Sequence, residues 1–187
     1  MRIDDEETPE RIIRPVAEVD PGDMVPGSGD LVVRFTTRGE MQMVFGRMLA
    51  GASHDVVYLN PRLDPGHLGT VESLPGIESL LLENRSATIR LLVDSSQSLV
   101  RSGHRLVETL RRFMPQVACR VSGPGYRDGP PSYMVVDRSA YLLLPDPDFF
   151  LGTAGFNSPG TAGKLLGLFD QAWEVAQPDP EMQPLDI

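Results

Sequence analysis

The sequence predicts a mixed α/β domain, with a largely parallel sheet and helices on both of its faces. Three observations predict it. Apolar, β-branched runs alternate with segments of helical periodicity, the pattern of strands joined by crossover helices. One run, ATIRLLVD (87–94), is almost continuously apolar, as a central strand covered on both faces must be. The chain has 187 residues, which suits one domain with tails and a sizeable core.

The elements follow in order. LVVRF (31–35) reads as a strand by its β-branched run. Residues 38–51 read as a helix, because Met41, Val44, Phe45, Met48 and Leu49 recur on one face. DVVYLN (55–60) is a second strand, stopped by Pro61. Residues 61–75, with Pro65, Gly66, Gly69 and Pro75, are expected to form a loop. A short helix follows over 76–86, then the strand at 87–94. Asp94, Ser95 and Ser96 offer N-caps for one helix over 96–113, with Gly103 in the middle of its apolar stripe. A glycine there costs about 1 kcal/mol against alanine, so close packing is the expected reason for it. QVACRV (116–121) is a strand. YMVVD and AYLLL form a hairpin around Arg138-Ser139. Ser158 and Pro159 open a last helix whose inner face carries Leu165, Leu168, Phe169, Ala172, Trp173 and Ala176.

Charge divides the chain differently. The net charge is −9. Residues 1–30 hold −6 of it, residues 177–187 hold −3, and residues 31–176 balance to zero. The domain layout expected from this is a mobile, acidic, Pro/Gly-rich segment over 1–29, a folded body over 30–176, and an acidic tail over 177–187. The stretch RIIRPVAEV has enough apolar character to dock on the body. A neutral body with acidic tails has no pull on phosphate backbones, so nucleic acid is an unexpected partner. No run of about 18 apolar residues predicts a membrane span, and the acidic start MRIDDEETPE does not resemble a secretory signal. A cytoplasmic location is the expectation. The single cysteine, Cys119, lies in an apolar strand and reads as a buried, inert thiol.

Several chemistries lack their residues. One cysteine and three scattered histidines form no zinc or iron motif. Sixteen of the seventeen basic residues are arginine, and the only lysine, Lys164, is followed by Leu165, so there is no phosphate-binding loop. No Gly-rich dinucleotide motif and no G-x-S-x-G elbow is present. The acidic turn PDPD (145–148) reads as an exposed turn before it reads as a cation site. No cofactor or metal is expected.

Two places remain as binding candidates. In α/β sheets ligands lodge beyond the carboxyl ends of strands. Asn60, Arg62 and Asp64 follow the second strand, and Asp94 and Ser95 follow the third and open a helix. Capping by Asp94 and Ser95 and a turn started by Asp64 are the plainer reading of these residues. His104 and Arg105, at the edge of the stripe around Gly103, are the other candidates for a ligand or subunit contact. A satisfied boundary histidine is the plainer reading of His104.

The last third carries a resemblance. YMVVDRSAYLLL, then GTAGFNSP, then LFDQAWE resembles the end of a phospholipase D-like half, and LLVDSSQSLVRSGHRLVETLRRF fits its middle. The chain is similar, over about residues 30–187, to a bacterial family of degenerate phospholipase D-like domains, some joined to an acetyltransferase domain. The active signature of that fold is H-x-K-x-x-x-x-D, in which histidine attacks phosphorus and lysine neutralises the phosphate oxygens. With Asp137 as its aspartate, Pro130 stands at the histidine position and Ser132 at the lysine position. Proline cannot be a nucleophile, and serine brings no charge. None of His54, His67 and His104 has lysine two residues on. GTAGFNSP echoes the family's G-S-x-N stretch but reads more simply as a helix-capping turn. The resemblance implies a non-catalytic module that binds a second copy of itself or another protein, since active relatives set two halves face to face. A small-anion sensor built on Asn60, Arg62, Asp94 and Ser95, and a phosphodiesterase or nuclease with relocated groups, are the alternatives.

Overall fold

The structure, a computed structural model, describes residues 12–123 and 131–182. Among the described residues nine strands form one sheet: β1 (Ile13–Pro15), β2 (Val32–Phe35), β3 (Asp55–Leu59), β4 (Thr88–Val93), β5 (Val117–Val121), β6 (Ser132–Val136), β7 (Ala140–Leu144), β8 (Gly152–Gly155) and β9 (Gln177–Pro178). Their order across the sheet is β1-β2-β8-β7-β6-β3-β4-β5-β9. The sheet is mixed, but its parallel share is smaller than expected. Only β1 with β2, β3 with β4, and β4 with β5 run parallel; the other five pairings are antiparallel. The hairpin β6–β7 and the strand β8 wedge between β2 and β3, and short returns can only run antiparallel.

Strand alternation feeds two cores. Val56 and Tyr58 of β3, Ile89 and Leu91 of β4, and Met134 and Val136 of β6 face one way. They meet the helices α1 (Arg38–Ala50), α3 (Leu74–Glu83) and α5 (Arg105–Arg112) through Phe45, Met48, Ile77, Leu80 and Leu110. Val57, Leu59, Leu92, Tyr133 and Val135 face the other way, onto α6 (Pro159–Val175), which contributes Leu165, Phe169, Ala172 and Trp173. Period 2 in the strands and period 3.6 in the helices bring these residues together. Arg90 and Arg120 lay their guanidinium groups against Trp173, at 5.6 and 4.6 Å from the ring centre, and close the open side of α6.

Helix α1 starts where its sequence says. Thr37 Oγ1 accepts from the Glu40 amide at 3.3 Å, and Glu40 accepts from the Thr36 and Thr37 amides at 2.8 and 3.2 Å. These bonds, the Thr36 amide first, hold the Glu40 carboxyl below its usual range.

Four expectations change. The helix expected over 96–113 is two helices, α4 (Gln97–Arg101) and α5. Gly103 adopts φ +64 with open space where a side chain would be, so it stops α4 rather than packing tightly. The loop 61–75 contains a short helix, α2 (Pro65–Leu68). GTAG, expected as part of a capping turn, is strand β8. A side chain at Gly152 would run into the carbonyl oxygen of Leu143 and the ring of Phe35, so small residues let this strand slide between its neighbours. Finally, the two tails are tied down where they are described. β1 pairs with β2, and Val16, Val19 and Met24 are buried. β9 pairs with β5, and Asp179 and Met182 are buried. Cys119 is buried as expected, and burial, with Asp179 beside it, pushes its thiol far up. Among the described residues no helix is long and apolar enough to cross a membrane.

Candidate functional site

The site is built at the carboxyl end of β3. Asn60 follows that strand, and its backbone amide donates to Leu92 O at 3.0 Å. Its side-chain oxygen then accepts from the amides of Arg62 and Asp64, at 3.1 and 3.2 Å. One buried asparagine thus folds the loop 60–64 around itself. The loop is tight enough to hold the wholly buried Leu63 at φ +49, where a leucine costs about 1–2 kcal/mol. Asp64 caps α2 by accepting from Gly66 at 2.7 Å, with Pro65 at the first helical position.

That cap delivers His67 into the interior. His67 is 2% exposed, and Phe45 stacks on its ring at 5.2 Å. The Tyr58 hydroxyl lies 2.5 Å from His67 Nδ1, and Asn60 Nδ2 lies 3.3 Å from it. Asn60 Nδ2 also donates to Ser132 Oγ at 3.0 Å. Tyr58, Asn60, His67 and Ser132 are therefore one closed hydrogen-bonded network beneath α1. Burial pushes the His67 imidazole below its ordinary value; Asp64 opposes this and Arg38 adds to it. Burial also raises the Tyr58 hydroxyl, with Asp64 adding and its bond to Asn60 opposing. Both directions favour neutral groups. Asn60 Nδ2 can only donate, since Asn60 Oδ1 is fixed by two amides, so Nδ1 is assigned as the acceptor, with the Tyr58 hydroxyl donating to it and the imidazole proton on Nε2.

Outside this network lies an open trough of two adjoining cavities, about 410 and 490 Å³, that share Pro61, Arg62, Pro147 and Asp148. The first reaches Asn60, Asp64, Ser98 and Phe150; the second reaches Asp94, Ser95 and Asp146. The loop after β3 therefore faces the loop after β7, with the end of β4 as the floor. The Arg62 guanidinium joins Asp148 across the trough, both side chains being mostly exposed. Asp94 accepts from the Ser122 hydroxyl, and its amide donates to Pro61 O at 2.8 Å. Ser95 Oγ accepts from the Gln97 amide at 3.3 Å. Four carboxylates, Asp64, Asp94, Asp146 and Asp148, thus line the trough with the guanidinium of Arg62, and a second guanidinium, that of Arg38, lies over the Phe150 ring.

The structure brings four of the six sequence candidates together: Asn60, Arg62, Asp94 and Ser95 line the trough. His104 and Arg105 do not line it. His104 caps α5, its Nδ1 accepting from the Leu106 amide at 3.1 Å, and its ring leans on Gly69. Arg105 is exposed and reaches Glu78 at 3.8 Å. Sequence reasoning missed Tyr58 and His67. Asp64-Pro65 is a helix-start signal that would have placed His67 on a short helix instead of a loop. Among the described residues no three His, Cys, Asp or Glu side chains stand together so as to hold a metal ion.

At the two ends of β6, Ser132 is wholly buried in the network, and Asp137 follows the strand in the hairpin turn. Asp137 accepts from the amides of Ser53, His54 and Asp55 at 2.7, 2.8 and 2.9 Å. Pro130 lies outside the described residues.

The chain belongs to the family described as a domain of unknown function, DUF7931, which matches residues 37–185. No curated protein matches it. Among solved structures it is similar to NucT from Helicobacter pylori (TM-score 0.56, 11% identity, 80% of this chain and 99% of that one). It is similar to Nuc from Salmonella typhimurium, a phospholipase D family member (TM-score 0.55, 10% identity, 80% and 97%). It is also similar to TrmBL2, an archaeal chromatin protein with a novel mode of DNA binding (TM-score 0.54, 12% identity, 78% and 53%). The chain matches about half the length of TrmBL2. At these identities the likeness shows the fold, which is phospholipase D-like.

Proposed function

We propose that this member of the DUF7931 family is a non-catalytic phospholipase D-like module that binds a protein partner, either a second copy or another chain. The observation that carries the reading is the fate of Ser132. At the position where the resembling fold keeps its phosphate-clamping lysine, a fully buried serine hydroxyl is taken up by Asn60. A neutral, occupied hydroxyl cannot offset the charge of a pentacoordinate phosphate. Pro130, at the histidine position, has no nucleophilic atom to offer. The trough beside the network adds to this, since its surplus of carboxylates repels phosphodiesters. The same repulsion opposes a small-anion sensor, and opposes carrying the DNA binding of TrmBL2 over to this chain. A cytoplasmic location remains part of the proposal.

The test is hydrolysis of bis-p-nitrophenyl phosphate and of a labelled single-stranded oligonucleotide, with and without magnesium or manganese. Rates at buffer background are expected for the whole chain. Turnover that follows the protein through purification and disappears in His67→Ala would overturn the reading in favour of relocated catalysis. Loss of turnover in Asp94→Asn would do the same.

A further inference from the structure

We infer that the trough is a docking surface for an extended segment of a different protein, one that presents arginine or lysine next to an apolar side chain. The inference deepens the binding role proposed above and rests on it.

Two independent features of the surface point to such an occupant. The first is apolar. Of the nine large apolar side chains that the described residues leave exposed, three are consecutive: Phe149, Phe150 and Leu151, at 63, 41 and 54% exposure. Phe150 lines the trough, and Phe149 and Leu151 are its exposed neighbours in the chain. Consecutive exposed aromatic and aliphatic residues rimmed by charge mark a contact surface rather than chance exposure. The turn that presents them is already ordered. Asp146 Oδ1 accepts from the Asp148 amide at 2.9 Å, and Phe149 N donates to Asp146 O at 3.2 Å. Little ordering entropy is then left to lose on binding.

The second feature is charge. Asp148 is joined to Arg62, and with Arg38 counted the four carboxylates Asp64, Asp94, Asp146 and Asp148 still outnumber the two guanidinium groups. Arg38 lies over the Phe150 ring at 5.8 Å. That stacking shows the ring face accepting a guanidinium, and it leaves the surplus acidic.

The charge also selects the occupant. A second copy docking here about a two-fold axis would set trough against trough, and like charges would meet. A nucleic acid is repelled for the same reason. A lone small cation would leave Phe149 and Leu151 uncovered. A peptide that lays arginine or lysine into the trough and an apolar residue onto 149–151 meets both features at once.

Binding of two blocked peptides, Ac-Gly-Arg-Arg-Leu-Phe-Gly-NH2 and its analogue with glutamate for arginine, to the whole chain tests this by NMR titration. Saturable shifts are expected with the arginine peptide, confined to residues 60–65, 94–102 and 145–151. The double variant Asp94→Asn, Asp146→Asn is expected to weaken binding by about fivefold, as for two partly screened ion pairs. Phe150→Ala is expected to weaken it by a similar factor, while its fold is monitored by the unshifted remainder of the spectrum. Raising salt from about 50 to about 300 mM is expected to weaken it further. No saturable binding up to about 2 mM would overturn the inference. So would equal binding of the glutamate analogue, or equal affinity for arginine amide alone. These outcomes are independent of the hydrolysis assay, so a failed docking surface and a hidden phosphodiesterase are told apart.

Discussion

The two ends of β6 have been treated differently. At one end Asp137 receives three backbone amides and ties the hairpin to the start of β3. At the other, about 17 Å away for five strand residues, Ser132 stands buried where a charged side chain would face substrate. The aspartate that the resemblance aligns with the signature does structural work here: it accepts from three backbone amides. The lysine position carries no such duty. That position is filled by a small neutral residue bonded to Asn60.

That contrast can be broken deliberately. The largest effect is expected from Ser132→Lys, which puts a charge at the position that the resemblance gives to lysine. The ammonium would enter a buried, neutral network with no carboxylate among its partners, at a cost of about 3–5 kcal/mol. A urea midpoint should fall accordingly, and no phosphodiesterase activity should appear. A stable, active variant would mean that the site is poised rather than dismantled.

The opposite end is tested by Asp137→Ala. It removes three hydrogen bonds, two of them exposed to water, and places alanine at φ +49, so a loss of about 1–3 kcal/mol is expected in the same denaturation experiment. Asp137→Asn keeps an acceptor and tolerates the left-handed backbone, so it should lose less.

A smaller effect comes from pH. His67 has a folded-state pKa below its unfolded value of 6.5. Its neutral form therefore contributes stability that is fully present above pH 6.5. This is lost as pH falls from there through the depressed folded value, because the unfolded chain binds the proton more readily. Denaturation at pH 7.5 and at pH 5 should show the loss in the wild type and a flatter profile in His67→Gln. An unchanged slope would place the titrating group elsewhere. At still lower pH, Glu40 should make a slight further contribution, lost as its depressed carboxyl protonates.

Much of the architecture was legible in the chain because its signals are local. The capping box at Thr37 and Glu40, the alternating runs of β3, β4 and β6, the hairpin and the α6 stripe are each set by neighbouring residues. Two strand ends named from sequence, at Asn60–Arg62 and Asp94–Ser95, do line one trough, because parallel neighbours end at the same edge of a sheet. What misled was composition. GTAG has low strand propensity, yet it is a strand, because only residues that small fit between Leu143 and Phe35. Gly103 has helical neighbours on both sides, yet its positive φ splits them.

By itself, then, the sequence determined the α/β class, the two buried faces and the burial of Cys119. Each of these depends on residue type or on spacing within one element. Only the tertiary structure decided that the sheet is mostly antiparallel, that His67 lies buried against Tyr58 and Asn60, and that Asp146, Asp148 and Phe150 join Arg62 around a single trough. These residues come from loops up to about 90 positions apart. Their meeting depends on which strands became neighbours, and long-range pairing is settled by packing rather than by local pattern.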